Sequence, residues 1–260
     1  MVQATLVNHR GAVLIQREEL AKIPTPPSTE TWHPLPHIEV LDRVEMTLDG
    51  AGFRVETSQL SVARDSQRFF GVLKLVTKVT NECALAVGIR NSHDQSFPIA
   101  MVAGENCFVC DNLSFTSEVY VSRRHTKYSA VRFNEAISLA ITEALPQYQL
   151  AAAQRIASLQ AYELSPTEAD SLLLRAFEAG IVSSRLLDPV LKEWRNPRHP
   201  EFRPRTAWSM LNAFTECFKE RQKSNPQEAA LQTIRLNRLI APPERTMFDG
   251  NENPQPAIAG

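Results

Sequence analysis

Two runs of the chain are apolar at nearly every position: CALAVGI at 83–89 and IAMVAGENCFVC at 99–110. A strand with one face in water alternates apolar and polar side chains, whereas a uniformly apolar run is typical of a central strand covered on both faces. These runs therefore predict a sheet whose middle strands are buried between two layers, and they restrict the chain to folds that contain such a sheet.

The segments before these runs predict the outer strands of the sheet and a helix. In RFFGVLKLVTKVT, at 68–80, leucines alternate with lysines, which is typical of a strand with one wet face. The preceding FRVETSQLSVARDSQ is interpreted as its hairpin partner, with the turn at 64–67. At 37–49 the apolar residues recur at helical spacing, and Gly50 follows them, so a helix is predicted there.

In the second half of the chain the apolar residues follow a helical period. One predicted stripe consists of Val131, Ile137, Ile141, Ala144 and Leu145. Pro146 is expected to bend or break this helix because it lacks a backbone donor. Ser165 begins a capping box that predicts a helix ending at Gly180, and Asp188 with Pro189 is predicted to start a shorter one. The irregular segment RNPRHPEFRPR and two helices, at 206–221 and 227–240, are predicted to follow.

Together these elements predict an α+β fold, with an antiparallel or mixed β-sheet domain and its flanking helix followed by a helical C-terminal domain. The predicted boundaries are an extended, proline-rich arm at 1–36, the sheet domain at 37–128, the helical domain at 129–241 and a disordered tail at 242–260. The predicted core includes Leu73, Leu75, Val87, Ile89, Val109, Leu139 and Phe214.

Composition argues against several classes of function. The net charge of -1 does not suit a nucleic-acid binder that relies on bulk charge, but it leaves room for a local basic patch. No run of about 18 apolar residues is present, so no membrane partner is expected. Four cysteines in 260 residues are too few for a disulfide scaffold, which indicates reduced thiols and a cytoplasmic location.

Polar side chains cluster where the apolar runs end. One cluster contains Arg90, Asn91, His93 and Asp94, and the other contains Cys110, Asp111 and Asn112. Because consecutive strands are usually neighbours, the two clusters are expected to meet. The candidate catalytic residues are therefore His93, Asp94, Cys110 and Asp111. The alternative is structural, with Asp94 orienting His93 and with Asp111 and Asn112 satisfying the backbone of a turn.

A zinc site is disfavoured. Cys107 and Cys110 form a C-x-x-C pair, but a tetrahedral site needs four ligands and no second pair exists. On a strand these two cysteines would also point to opposite faces. Cys107, like Cys83, is therefore interpreted as a small buried residue, and no metal and no cofactor are predicted.

Two basic clusters favour nucleic acid as a partner. The first has no acid among its members, which are Arg123, Arg124, His125, Lys127 and Arg132. The second has Glu201 as its one close acid and aromatic residues interleaved with its arginines, which are Arg195, Arg198, Arg203 and Arg205. Arginine with aromatic residues can hold phosphates and stack bases. The candidate nucleic-acid-binding residues are Arg90, Asn91, Arg123, Arg124, His125, Lys127, Arg198, Arg203 and Arg205. The alternative is a solvated surface on which the arginines pair with helix carboxylates and the tryptophans belong to the core.

The segments IRNSHDQS and FVCDNL, with the later RTAWSMLNAFTE, resemble the family called domain of unknown function 932, over about residues 35 to 240. The resemblance implies a phage or plasmid context and a bacterial cytoplasm, and it brings no established activity. The element order is also similar to that of single-strand annealing proteins, which form rings or filaments; this is an analogy of fold.

The favoured hypothesis is an accessory protein that binds nucleic acid, with single-strand binding or annealing in recombination as its role. The competing hypotheses are an enzyme acting on nucleotides or on a host-defence component through the candidate catalytic residues, and a non-catalytic inhibitor of host restriction. DNA is the expected partner. The sequence leaves open whether that DNA is single-stranded, and whether the protein forms a homo-oligomer.

Overall fold

The centre of the fold is an antiparallel β-sheet, seen in a computed structural model that describes residues 12–107, 112–224 and 226–240. Within that part of the chain the sheet has six strands, arranged in chain order so that neighbours in space are neighbours in sequence. They are β1 (Val13–Leu14), β2 (Val55–Ala63), β3 (Arg68–Lys78), β4 (Cys83–Ser92), β5 (Ile99–Cys107) and β6 (Leu113–Arg123). The predicted α+β class is confirmed.

The strand predictions agree closely with this sheet. Every residue of β4 except Arg90 is buried, as the uniformly apolar run predicts. The turn between β2 and β3 falls at the predicted place, where Arg64, Asp65 and Ser66 adopt positive φ angles. Of the predicted core residues, Leu73, Leu75, Val87, Ile89 and Phe214 are buried, whereas Val109 lies outside the described residues.

Helices pack against both faces of the sheet and also against one another. They are α1 (Arg17–Leu20), α2 (His37–Gly50), α3 (Ser129–Leu139), α4 (Leu145–Ala161), α5 (Pro166–Glu178), α6 (Ser184–Arg195), α7 (Ala207–Ser224) and α8 (Pro226–Ile240). A π-helical segment, Ala140–Ala144, joins α3 to α4, and a short 3-10 turn, Pro200–Phe202, interrupts the irregular segment. No helix in the described part combines the length and apolar character needed to cross a bilayer.

The predicted apolar stripe is correct at Ile137, Ile141 and Leu145, which are buried, and wrong at Val131, which is 59% exposed. Leu139, also predicted to belong to the core, is 57% exposed. Val131 and Leu139 lie two residues from the buried Phe133 and Ile137, so the helical period of about 3.6 residues places them on the opposite face of α3. The buried residues of this region are Phe133, Ile137, Ile141, Leu145 and Tyr148.

The start of α6 also differs from its prediction. The helix begins at Ser184 rather than at Asp188, and Pro189 lies inside it. Ser183 precedes the helix in an extended conformation, and the carbonyl of Ser183 accepts the N–H of Leu186 at 2.9 Å. The helix therefore forms its first turn before the proline. The predicted capping box of α5 is confirmed, because the side chains of Ser165 and Glu168 each bond the other's backbone.

The described residues form two large apolar cores, which both include residues of α4, and a small one around Phe115 on the outer sheet face. The first fills the space between one sheet face and helices α2, α3 and α4, and includes Leu41, Phe69, Val87 and Phe133. The second is formed mainly by helices α5 to α8, but Cys83 and Cys107 of the sheet belong to it as well. Separate folding of 37–128 and 129–241 stays a prediction.

Helix α8 packs against β6 and the outer sheet face. The backbone N–H of Phe115 donates to Thr233 Oγ1 at 3.1 Å, and the carbonyl of Phe115 accepts from Asn237 Nδ2 at 3.2 Å. The ring of Phe115 lies over Gly88 and Gly104 of the neighbouring strands. The register between β5 and β6 shifts between Val102 and Gly104, so the two strands approach closely there.

Replacing Gly104 with alanine should destabilise the protein by about 1–3 kcal/mol, the usual cost of overpacking a filled core. A Cβ there would lie 2.7 Å from the Phe115 ring and would also meet the carbonyl oxygen of Ser114. Urea unfolding followed by circular dichroism measures the change. Gly50→Ala is the matched control, because a Cβ at Gly50 meets nothing within 4 Å. Equal stability of the two variants would contradict the close approach.

Candidate nucleic-acid interface

The two predicted polar clusters lie at opposite ends of the sheet. Arg90 of β4 pairs with Ala100, whereas Cys83 at the other end of β4 pairs with Cys107. The N–H of Cys107 donates to the carbonyl of Asn112 at 2.9 Å, so Asn112 is fixed at that far end. Seven residues of strand separate the ends by about 23 Å.

The expectation that the clusters meet is therefore wrong for Asn112, because β4 and β5 run in opposite directions and finish at opposite ends. Cys110 and Asp111 lie outside the described residues, between Cys107 and Asn112. Asn112 itself is buried, and its Nδ2 donates to the side-chain oxygen of Asn212 on α7 at 3.1 Å.

His93 belongs to a buried stack of two imidazoles. Its ring centroid lies 3.7 Å from that of His37, with 7° between the planes. His93 Nε2 donates to the carbonyl of Leu35 at 2.9 Å, and Asn91 Nδ2 donates to the same carbonyl at 2.9 Å. Asn91 Nδ2 also donates to His37 Nδ1 at 2.9 Å, so His37 Nε2 carries the proton that bonds the carbonyl of Ser66.

The environment keeps these rings neutral. Burial lowers the pKa of His37 to about 3, and repulsion from a charge on His93 acts in the same direction. Burial likewise lowers the pKa of His93, and burial with the charge of His93 lowers the pKa of His125 to about 4. The three histidines therefore form a neutral cluster beneath residues 29–36 of the arm, where the Trp32 ring lies 6.1 Å from that of His125.

Asp94 is engaged on the surface turn beside this cluster. Its Oδ2 pairs with Arg68 at 2.6 Å, and its Oδ1 accepts the backbone N–H of Ser96 at 3.1 Å. Burial alone would raise the pKa of Asp94, but the bonds from Ser96 and Arg68 hold it below its ordinary value. These contacts give Asp94 a turn-stabilising position, and the 3% exposure of His93 leaves little of its ring accessible to a substrate.

The first basic cluster is exposed and surrounds a tyrosine. Arg123, Arg124, Lys127 and Arg132 are all exposed. Lys127 Nζ lies 5.9 Å from the centroid of the Tyr128 ring, and the Arg132 guanidinium lies 5.6 Å from it. Within the described part of the chain, no carboxylate lies within ion-pair distance of any of these four cations.

Arg90 extends this positive surface along the sheet. Its guanidinium donates to Tyr120 Oη at 3.1 Å and lies 5.3 Å from the ring centroid of Phe97. The Arg68 guanidinium lies 5.9 Å from the same ring. Because Ile99 pairs with Arg123, the β4–β5 turn that carries Phe97 adjoins the end of β6. We call this surface the basic end: Arg68, Arg90, Phe97, Tyr120, Arg123, Arg124, Lys127, Tyr128 and Arg132.

Some predicted contact residues are not part of the exposed surface. Asn91 and His125 are buried, and both contact the arm. Conversely, the sequence analysis missed four residues of the basic end: Arg68, Phe97, Tyr120 and Tyr128. The signal for Tyr120 was available, because its position on an alternating strand places it on the face opposite Val119 and Val121.

The second basic cluster is largely paired within the fold. Arg198 lies 3.2 Å from Glu193 and 3.1 Å from Glu216. The Arg205 guanidinium lies 4.9 Å from the ring centroid of Trp194 and donates to the carbonyls of Trp194 and Arg195. Arg203 is exposed. These contacts hold the irregular segment against the ends of α6 and α7.

The cysteine pair of the sheet is protonated and buried. Cys83 and Cys107 lie directly opposite each other on β4 and β5, as small buried residues in agreement with the prediction. The hydrogen bond with Cys107, together with burial, raises the pKa of Cys83 far above its ordinary value. Among the described residues, no three His, Cys, Asp or Glu side chains form a group that could hold a metal ion.

Of the comparisons with known proteins, the one with protein families identifies the family of this chain. No curated protein and no solved structure gives a significant match to it. The family described as "Domain of unknown function (DUF932)" matches residues 28–240, which include strands β2 to β6, the basic end and helices α2 to α8. The chain therefore belongs to the DUF932 family.

Proposed function

We propose that the protein binds single-stranded nucleic acid at the basic end. The observation that supports this is the group of exposed cations around Tyr128, with no carboxylate within ion-pair distance in the described part of the chain. Exposed cations in a folded protein usually lie among acids, so a segregated group creates a local positive potential. The net charge of -1 makes such binding a property of this surface rather than of the whole molecule.

The residue types of the basic end suit an unpaired strand. Arginine and lysine bind phosphates, whereas exposed aromatic rings stack on bases that are not already paired. Tyr120 and Tyr128 are 50% and 57% exposed, so both rings are accessible to a base. Arg90 contacts both Tyr120 and Phe97, so a cation and two aromatic rings lie together on this surface.

The double substitution Arg123→Ala with Arg124→Ala tests the proposal. Each phosphate contact contributes a slope of about 0.7 to log affinity against log salt for single strands, so removing two contacts should flatten the slope by about 1.4. Fluorescence anisotropy of a labelled oligothymidylate at several salt concentrations measures this. The fold should survive, because exposed side chains rarely support a core.

A matched control removes the same charge elsewhere. Arg175 and Arg185 are exposed on α5 and α6, and their double replacement by alanine is expected to leave the salt slope unchanged. No binding by the parent protein at low salt, or equal slopes for the two double variants, would overturn the proposal.

The other hypotheses stay predictions. The enzyme alternative includes Cys110 and Asp111, which lie outside the described residues, and the buried stack of His93 on His37 does not favour it. No contact described above supports inhibition of host restriction or a role in phage or plasmid recombination. Single-strand binding is proposed because the charges and rings of the basic end support it.

A further inference from the structure

A groove lies between the outer face of the sheet and α8, and we call it the α8 groove. Its volume is about 480 Å³, which is within the usual range for small-molecule sites. The floor comes from β3 to β6 and one wall comes from α8. Its lining includes Arg90, Ala100, Val102, Tyr120, Leu231 and Arg235.

The groove exists because the central strands carry small residues on their outer face. The register aligns Phe70, Arg90 and Ala100 in one row across the sheet, and Val72, Gly88, Val102 and Tyr120 in the next. Ala100 keeps the floor low beside Arg90, whereas the space over Gly88 is taken by the ring of Phe115, which itself lines the groove. Helix α8 touches the sheet through Ala230 and Ile234 near Phe115, and Leu231 remains 45% exposed beside the floor.

The polar groups of the groove are nearly all cationic donors. They are the guanidinium groups of Arg90, Arg235 and Arg238 and the hydroxyl of Tyr120. The Tyr120 hydroxyl already accepts from Arg90 at 3.1 Å. A guanidinium has no acceptor, so the lining offers almost nothing to the N–H groups of a nucleobase. The remaining lining is apolar, which suits a ligand whose single polar group is an anion.

We propose that the α8 groove binds an amphiphilic anion, meaning an apolar chain that ends in one carboxylate or phosphate group. The chain lies over Ala100 and Val102, and the arginines at the rim hold the anionic group. Arg90 is already oriented for this by Tyr120 and by the Phe97 ring. The site is distinct from phosphate binding by Arg123 and Arg124, although Arg90 and Tyr120 belong to both surfaces.

The test uses the full-length protein and the fluorescence of anilinonaphthalene sulfonate, itself an aromatic body with an anionic group. Dodecanoate and dodecyl phosphate should both displace the probe. Dodecanol, which has the same chain and no charge, should bind about tenfold more weakly or worse, since a hydrogen bond to a charged group is worth about 1.5–3 kcal/mol. The relative affinities of the two anions then identify the preferred head group.

Two variants locate the site. Arg235→Ala should weaken dodecanoate about tenfold and leave dodecanol unchanged, because Arg235 is exposed and its loss removes only a charge-assisted bond. Ala100→Leu should fill the floor and weaken both ligands. If Ala100→Leu fails to fold, Arg235→Ala still tests whether the groove binds the anionic group. The Arg175 and Arg185 double variant is the charge-matched control, and it should bind dodecanoate as the parent does.

Four results would overturn the inference. The parent could fail to bind the probe. Dodecanol could compete as well as dodecanoate, which would indicate a purely apolar groove. Arg235→Ala could leave dodecanoate binding unchanged. Finally, an oligothymidylate could displace the probe at lower concentration than dodecanoate, which would assign the groove to nucleic acid. Replacement of Arg123 and Arg124 should alter oligonucleotide binding alone, so failure of one proposal is distinguishable from failure of the other.

Discussion

Replacing Glu105 with alanine is expected to destabilise the protein by about 3–5 kcal/mol, because it leaves a largely buried charge without its partner. Glu105 of β5 pairs with Arg155 of α4, and their side chains are only 5% and 19% exposed. Tyr148 donates to the same carboxylate at 2.5 Å. Burial and the charge of Glu105 raise the pKa of Tyr148, so its hydroxyl remains a donor.

The effect should extend beyond the ion pair. Arg155 also donates to Asn237 of α8 at 3.0 Å, so one carboxylate orients groups on the sheet and on two helices. Urea unfolding measures the free energy. Asp188→Ala is the control, since its pair with Lys192 is 70% and 75% exposed and should contribute less than about 1 kcal/mol. A Glu105→Ala variant no less stable than the control would contradict this account.

Acid should destabilise the protein well above the pH at which most carboxylates titrate. The folded pKa values of His37 and His125 are about 3 and about 4, below the ordinary value of 6.5. Between pH 6.5 and these lower values, the histidines bind protons in the unfolded chain but not in the folded protein. Their contribution to the free energy of unfolding is therefore complete above about pH 6.5 and decreases as the pH falls. From pH 7 to 5.5 each of these histidines should remove about 1 kcal/mol, and His93 should act in the same direction.

Unfolding free energies at pH 7, 6 and 5.5 measure this slope. His125→Phe should remove about 1 kcal/mol of the stability loss between pH 7 and pH 5.5, because a phenyl ring keeps the contact with Trp32 and cannot titrate. Limited proteolysis within residues 29–36 should rise over the same range, since the arm lies on this cluster. A flat profile, or an unchanged slope in His125→Phe, would show that the histidines charge freely in the folded protein.

Most of the fold is predictable from local sequence patterns, because strand alternation, helical periodicity and helix capping each depend on residues that are close together in the chain. Alternation along β3 and the apolar run of β4 indicate which faces are buried, and the capping box at Ser165 fixes the start of α5. The same helical period places Leu139 opposite the buried Ile137 and Ile141, so its assignment to the core is inconsistent with the predicted stripe and is wrong.

The candidate site is only partly predictable for a related reason. The exposed cluster around Tyr128 is found because few acids occur near it in sequence. The same reasoning fails at Arg198, whose partner Glu216 lies on α7, 18 residues away, and is brought there by helix packing. Likewise, the contact of Asn91 and His93 with Leu35 joins positions more than 50 residues apart. Charge counting along the chain cannot detect such pairs.

The contact of α8 with Phe115 also bears on self-association. A sheet edge presents backbone groups that another chain can extend, and this is a common route to aggregation. On β6 the N–H and the carbonyl of Phe115 are occupied by Thr233 and Asn237, so the ladder that an incoming strand would need is interrupted there. A second copy of this chain could therefore not extend the sheet continuously along β6 past Phe115, because the backbone groups that it would need there already bond to α8.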